Sequence, residues 1–115
     1  MVGTQVSKEI AERTLEAIEA ARSTGKIRKG ANEVTKALEK GQAKLVEIAK
    51  DVTPPEIVMH LPVLAAEKGI ACIEVPSKEE LGAAAGLPVG TATVAIVVEG
   101  ESKNIIKDVM KAIGK

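Results

Sequence analysis

Apolar residues recur at helical spacing between residues 5 and 22, at Val6, Ile10, Ala17 and Ala21, and Gly25 follows as a stop. That spacing predicts a first helix. Residues 26–29, Lys-Ile-Arg-Lys, are too short to show a period and fit a brief strand. A second helix is expected over 32–40, ended by Gly41, with Lys40 in the last turn where a cation suits the helix dipole. Residues 43–49, Ala-Lys-Leu-Val-Glu-Ile-Ala, form a strand with a buried run. Thr53 and Glu56 then fit a capping box, and Pro54 takes the first helical position of a helix ending at Gly69. Pro62 inside that helix is expected to kink or loosen its second turn.

A strand is predicted over 70–75, and Ser77 to Glu80 make a second capping box that opens a helix through about Ala85. Gly and Pro mark 86–91 as a loop. The most apolar strand covers 92–98, Gly100 breaks the chain, and Ser102 is expected to cap a last helix over 103–113. Ile105, Ile106, Val109 and Ile113 fall on its inner side. Helices thus alternate with short apolar strands. The expected fold is α/β, a three-layer α/β/α sandwich around a mixed, mostly buried sheet of about four short strands. With no repeat, linker or low-complexity stretch, residues 1–115 read as a single domain.

Composition narrows what such a domain could do. Acidic and basic residues balance at 16 each, so the whole surface is not a general polyanion binder and any nucleic-acid site must be a local patch. Aromatic residues are absent, which removes stacking platforms for single strands and leaves the core to Val, Ile, Leu and Ala. One cysteine and one histidine cannot build a disulfide or a zinc cluster, and no motif around the single histidine supports a Ser/His/Asp or Cys/His grouping. Cys72 reads as a small buried hydrophobe in a strand. His60 reads as structural, satisfied by a backbone carbonyl or partly exposed. The acids Glu79 and Glu80 suit a helix start, and residues 82–86 lack the Lys and Ser/Thr of a phosphate-binding loop. The expectation is therefore a protein that is not an enzyme, with no catalytic residues, no metal and no cofactor. No run approaches the roughly 18 apolar residues of a membrane span and no signal-peptide core is present, so the expected setting is cytoplasmic, without a membrane partner.

The charge is uneven along the chain. Residues 26–41 hold Lys26, Arg28, Lys29, Lys36 and Lys40 against Glu33 and Glu39. One reading is a solvated helix whose charges form weak surface pairs. The other begins from position. Asn32, Glu33 and Lys36 project from one side of the first two turns, just past a helix start that favours anions. They offer an amide, an acceptor-only carboxylate and a three-donor ammonium. Guanine presents O6 and N7 as acceptors and N1–H and N2–H₂ as donors, so a lysine can meet the first set and a carboxylate the second. An acid inside a basic patch then reads base donors while the cations hold the backbone.

The segments KGANEVTK (29–36), DVTPPEIVMHLP (51–62) and VPSKEELGAAAGLPV (75–89), taken together, resemble the archaeal L-seven-Ae ribosomal protein family of kink-turn RNA binders. The likeness runs over about residues 10–113. It implies kink-turn RNA, ribosomal or guide RNA, as partner. It also implies service as a large-subunit ribosomal protein or as a core component of box C/D and H/ACA guide ribonucleoproteins and of RNase P. Other core proteins of those particles would be neighbours, and the chain would be a monomer without RNA. In the family, the positions matching Asn32, Glu33 and Lys36 approach tandem sheared G·A pairs, whose exposed guanine edges permit readout that ordinary A-form RNA forbids. Lys40 and Lys78 match phosphate-contacting positions. Lys26, Arg28, Lys29 and Gly30, around the helix start, would add backbone contacts. Leu87, Pro88 and Val89 would pack over a nucleotide flipped from the kink, with Ile57 as an apolar wall; the other reading has that loop folded back onto its own helix. A fold-sharing paralogue acting as a protein-interaction or scaffolding module is the alternative function, and the neutral charge favours it.

Overall fold

The computed structural model describes residues 6–52 and 58–114. Helix α1 (Lys8–Thr24) opens at Ser7, whose hydroxyl accepts from the Ile10 amide, and closes at Gly25. Strand β1 (Lys26–Lys29) leads through Gly30 into α2 (Ala31–Glu39). Strand β2 (Leu45–Ala49), helix α3 (His60–Glu67) and strand β3 (Cys72–Val75) follow. Helix α4 (Lys78–Ala84), strand β4 (Thr93–Val98), a 3-10 turn (Gly100–Ser102) and helix α5 (Lys103–Ala112) complete the chain.

The strands form one sheet in the order β1-β4-β2-β3. β1 and β2 each run antiparallel to β4, while β2 and β3 are parallel, so the sheet is mixed as the sequence predicts. Alternation along β2 and β3 splits the apolar residues between two cores. Leu45, Ala49, Ile73, Val75, Val94 and Ile96 meet α1, α4 and α5, anchored by Ile18, Leu81 and Val109. Val46, Ile48, Cys72 and Ala95 meet α2 and α3, anchored by Val34, Leu38 and Leu61. This is the expected three-layer sandwich, and all five residues of β2 are buried because the sheet is covered on both faces.

One buried residue of β2 does not fit that pattern. Glu47 is fully buried, and alternation sets it beside Leu45 and Ala49 on the α1/α4/α5 side. Neither carboxyl oxygen has a hydrogen-bond partner. Burial pushes its pKa well above the ordinary carboxylate value, and the field of its own backbone amide offsets only part of that. Burial in this apolar layer therefore favours the neutral form of Glu47.

Two expectations about helix starts are corrected. The described part of α3 begins at His60, with the Leu61 amide bonded to the Val58 carbonyl at 3.0 Å, so Pro62 is its third residue and not part of a second turn. A first-turn amide has no partner within the helix, so proline costs nothing there. Ser102 does not cap α5. Its backbone is already helical and its hydroxyl donates to the Glu99 carbonyl at 2.6 Å. The start of α5 is tied instead to the end of α1, where the Thr24 hydroxyl accepts from the Glu101 amide at 2.8 Å. The expected capping box at Thr53 and Glu56, with Pro54, lies outside the described residues.

Candidate nucleic-acid interface

Strand directions gather the predicted site at one end of the sheet. With β1 and β2 antiparallel to β4, and β3 parallel to β2, the C-terminal ends of β1, β2 and β3 meet the N-terminal end of β4. The chain leaves that end at Gly30 into α2, after Ala49, and at Pro76 into α4, and it arrives there through the 86–92 loop. Backbone bonds lock the junctions. Gly30 donates to the Thr93 carbonyl at 2.9 Å, Ala49 to Ala92 at 2.9 Å, and Thr91 to Lys78 at 3.0 Å.

Among the described residues, no side chain caps the first turn of helix α2. Gly30 is its cap, at φ +90°, and supplies no side-chain acceptor. The first helical bond runs from the Val34 amide to the Gly30 carbonyl, so the amides of Ala31, Asn32 and Glu33 have no partner within the helix. Asn32, Glu33 and Lys36 are all exposed around this opening, while Val34, Ala37 and Leu38 hold the opposite face in the core. The site thus sets donor amides and a cation beside one acceptor-only carboxylate. That combination can hold a phosphate and a base edge together.

Lys29 is exposed and ends β1 at this corner, and Arg28 is half-buried one residue before it. Lys26 is not part of the cluster. It pairs with Val98 at the far end of β4, about 10 Å along the strand from Lys29. Nor is Lys40, which follows α2 about 12 Å along the helix from Asn32. Ile57 lies outside the described residues.

Lys78 begins α4 in a doubly capped turn. The Ser77 hydroxyl accepts from the amides of Glu79 and Glu80, and the Asp51 carboxylate accepts from the Lys78 amide at 2.8 Å. The 86–91 loop lies against this helix. Leu87 donates to the Gly82 carbonyl at 2.9 Å, and any side chain at Gly82 would collide with the Val89 carbonyl. The loop therefore does fold back on its helix, and Leu87 is half-buried against the core while still lining the groove beside Pro88 and Val89. Pro88 and Val89 remain exposed, and Val89 keeps 67% of its surface open. They border a shallow groove of about 410 Å³ with Glu79 and Ala83.

Behind the first turn of α2, a groove of about 530 Å³ runs between α2 and α3, lined by Asn32, Thr35, Lys36, Glu39 and His60. His60 is exposed, in line with the second of its two expected settings, and its Nε2 lies 2.7 Å from the Thr35 hydroxyl, so its partner is a side chain and not a backbone carbonyl. Thr35 gives its only hydroxyl proton to the Ala31 carbonyl at 2.6 Å. With the Thr35 proton directed to Ala31, the tautomer that completes the contact carries its hydrogen on Nε2.

Sequence reasoning missed Asp51, Thr35 and His60 as parts of this end. Asp51 sits just past a strand, the usual place of a cap, but its helix begins 27 residues later. The described residues hold no cluster of His, Cys, Asp and Glu that could bind a metal. Burial, with Glu47 and Glu74 nearby, pushes the Cys72 thiol up to about 12, so it stays protonated and unreactive. No helix among the described residues is long and apolar enough to cross a membrane.

Comparison with known proteins identifies the relatives of this chain. The model of the Ribosomal protein L7Ae/L30e/S12e/Gadd45 family matches residues 12–106. The large ribosomal subunit protein eL8 of two strains of Halobacterium salinarum is 52% identical over 108 residues, covering 94% of this chain and 90% of the relative. Among solved structures, the 15.5kD RNA binding protein of Giardia lamblia superposes with a TM-score of 0.88 at 31% identity, covering 94% of this chain and 90% of that one.

Proposed function

Because the chain belongs to the L7Ae/L30e/S12e/Gadd45 family of ribosomal proteins, we propose that it is a non-enzymatic RNA-binding protein that recognises and stabilises kink-turn RNA within ribonucleoprotein particles, the large ribosomal subunit first among them. The observation that carries this reading is the open first turn of α2. Amides without a partner among the described residues and exposed Asn32, Glu33 and Lys36 stand there at one end of the sheet. Glu33 and Lys36 meet the donors and acceptors of guanine edges exposed by sheared G·A pairs, and Asn32 adds an amide. Lys29, Arg28 and Lys78 hold phosphates, and Pro88 and Val89 cover an unstacked base.

Mechanistically, a free kink is one conformer among several. The protein binds that conformer and shifts the population toward it. Phosphate contacts supply salt-sensitive affinity, and α2 supplies preference. Guide ribonucleoproteins of the box C/D and H/ACA types and RNase P fall within the same reading, as does a cytoplasmic setting. Met59 and Val63, with 51% and 63% of their surfaces open, flank His60 on α3 and favour protein neighbours in the same particle over a bare RNA complex. Crosslinking in native cells followed by sequencing of the bound RNA tests the proposal. Sites centred on tandem G·A kinks support it, and recovery of protein partners without RNA favours the scaffolding module instead.

A further inference from the structure

The contact between α2 and α3 has a consequence for how the RNA-reading side chains are held. Thr35 precedes Lys36 and follows Asn32 by three residues, so its side chain lies in the same turn as the reader residues, toward α3. Its hydroxyl donates to the Ala31 carbonyl at 2.6 Å, the carbonyl of the first helical residue. The hydroxyl lone pairs then face the His60 imidazole at 2.7 Å. In the Nε2–H tautomer the chain of donors runs His60 Nε2–H to Thr35 Oγ1–H to Ala31 O, from the first residue of α3 to the first residue of α2.

The first turn of α2 needs such a tie. Its cap is a glycine at φ +90° with no neighbour within 4 Å of a would-be Cβ, and no side chain among the described residues bonds its free amides. Glycine also brings the largest backbone freedom at the hinge between β1 and α2. The two helices otherwise meet through apolar residues such as Val34, Leu38, Leu61 and Ala65. Those contacts fix the separation of the helices but carry no directional bond at the first turn.

We propose that His60 is a positioning residue of the RNA site: its Nε2–H, through the Thr35 hydroxyl, fixes the first turn of α2 so that Asn32 and Lys36 are set for readout before RNA arrives. The inference rests on the reading of α2 as the RNA-binding helix. It adds a residue on a different helix, 25 positions away, that need not touch RNA. Preorganisation of this kind shows in affinity for the kinked form more than in global stability.

The test uses the full chain, a kink-turn RNA with tandem G·A pairs and the same RNA with those pairs made Watson–Crick. Glu33→Ala serves as the control for the reading itself. His60→Leu and Thr35→Val should each lower kink-turn affinity about threefold to tenfold, the size of one lost hydrogen bond. Binding to the Watson–Crick RNA should not change. The double variant should lose no more than the worse single one. His60→Gln, which keeps a side-chain N–H at similar reach, and Thr35→Ser, which keeps the hydroxyl, should restore affinity. Long-range proton–nitrogen spectra should show the proton on His60 Nε2, with its signal shifted by Thr35→Val. The inference is overturned if Nε2 carries no proton, or if His60→Leu keeps full kink preference while Glu33→Ala loses it. Wild-type protein without kink preference overturns the reading of α2 and this inference with it.

Discussion

The Gly30 amide donates to the Thr93 carbonyl at 2.9 Å, across the junction where β1 gives way to α2. This bond joins the start of the reader helix to the start of the most apolar strand. It holds at a φ of +90°, which L side chains rarely adopt. Gly30→Ala should cost about 1–2 kcal/mol from backbone strain alone, since its Cβ would meet no neighbour. Thermal melts should fall by several degrees while the sheet persists. A melt unchanged within error would show that the junction tolerates another conformation.

Glu47 gives a pH prediction with a definite sign. Its pKa is raised in the fold, because burial disfavours the anion, and returns to the ordinary value near 4.5 on unfolding. The unfolded chain then binds fewer protons than the folded one above that value. Stability is greatest below the unfolded pKa and is lost as pH rises toward and through the folded one, by at most about 1.4 kcal/mol per pH unit. Melting temperature should fall between pH 5 and pH 8 in the wild type and change less in Glu47→Leu. Glu47→Leu should also be the more stable protein at pH 8. A variant with the same pH slope as the wild type would remove Glu47 as the cause.

The α4 cap predicts a local effect. Asp51→Ala removes the acceptor of the Lys78 amide and should cost about 1 kcal/mol, read by denaturant titration. Exchange of the Lys78 and Thr91 amides should quicken, because the 86–91 loop hangs from the Lys78 carbonyl. Ser77→Ala should act in the same direction.

Within the 86–91 loop, burial separates stability from binding. Leu87 packs on the core, so Leu87→Ala should lower the melting temperature. Val89 is largely exposed, so Val89→Ser should leave the melt within about 0.5 kcal/mol of wild type and weaken RNA binding severalfold. Equal effects of both changes on both readouts would contradict the proposed division of the loop.

Much of this was legible in the sequence. The apolar runs at 43–49, 70–75 and 92–98 marked the buried strands to within two residues at their starts, and Gly25, Gly41 and Gly69 marked three helix ends, because these are local signals. Ser77 was readable as a cap for the same reason. What the sequence hid depends on partners far along the chain. Asp51 caps a helix that begins 27 residues later, Thr24 holds the start of α5 from 77 residues away, and His60 finds Thr35 across a helix pair. Leu87 looks exposed in a Gly/Pro loop until α4 is set beneath it. Glu47 did leave a signal, an acid inside an apolar run of five residues, which the pattern of a buried strand passed over. Lys26 and Lys40 look near the reader helix in sequence, yet strand and helix rise carry each to a far end.

The most direct test of the central claim is equilibrium binding of wild type, Asn32→Ala, Glu33→Ala and Lys40→Ala to kink-turn RNA and to its Watson–Crick counterpart across a salt series. If α2 reads the kink, Glu33→Ala and Asn32→Ala should each lower the ratio of the two affinities about tenfold, one to a few kcal/mol of readout. Their salt slopes should match that of the wild type. Lys40→Ala should leave the ratio intact and at most lower the slope by about 1. Wild-type ratios in Glu33→Ala and Asn32→Ala would contradict the account, since the residues it assigns to recognition would then read nothing.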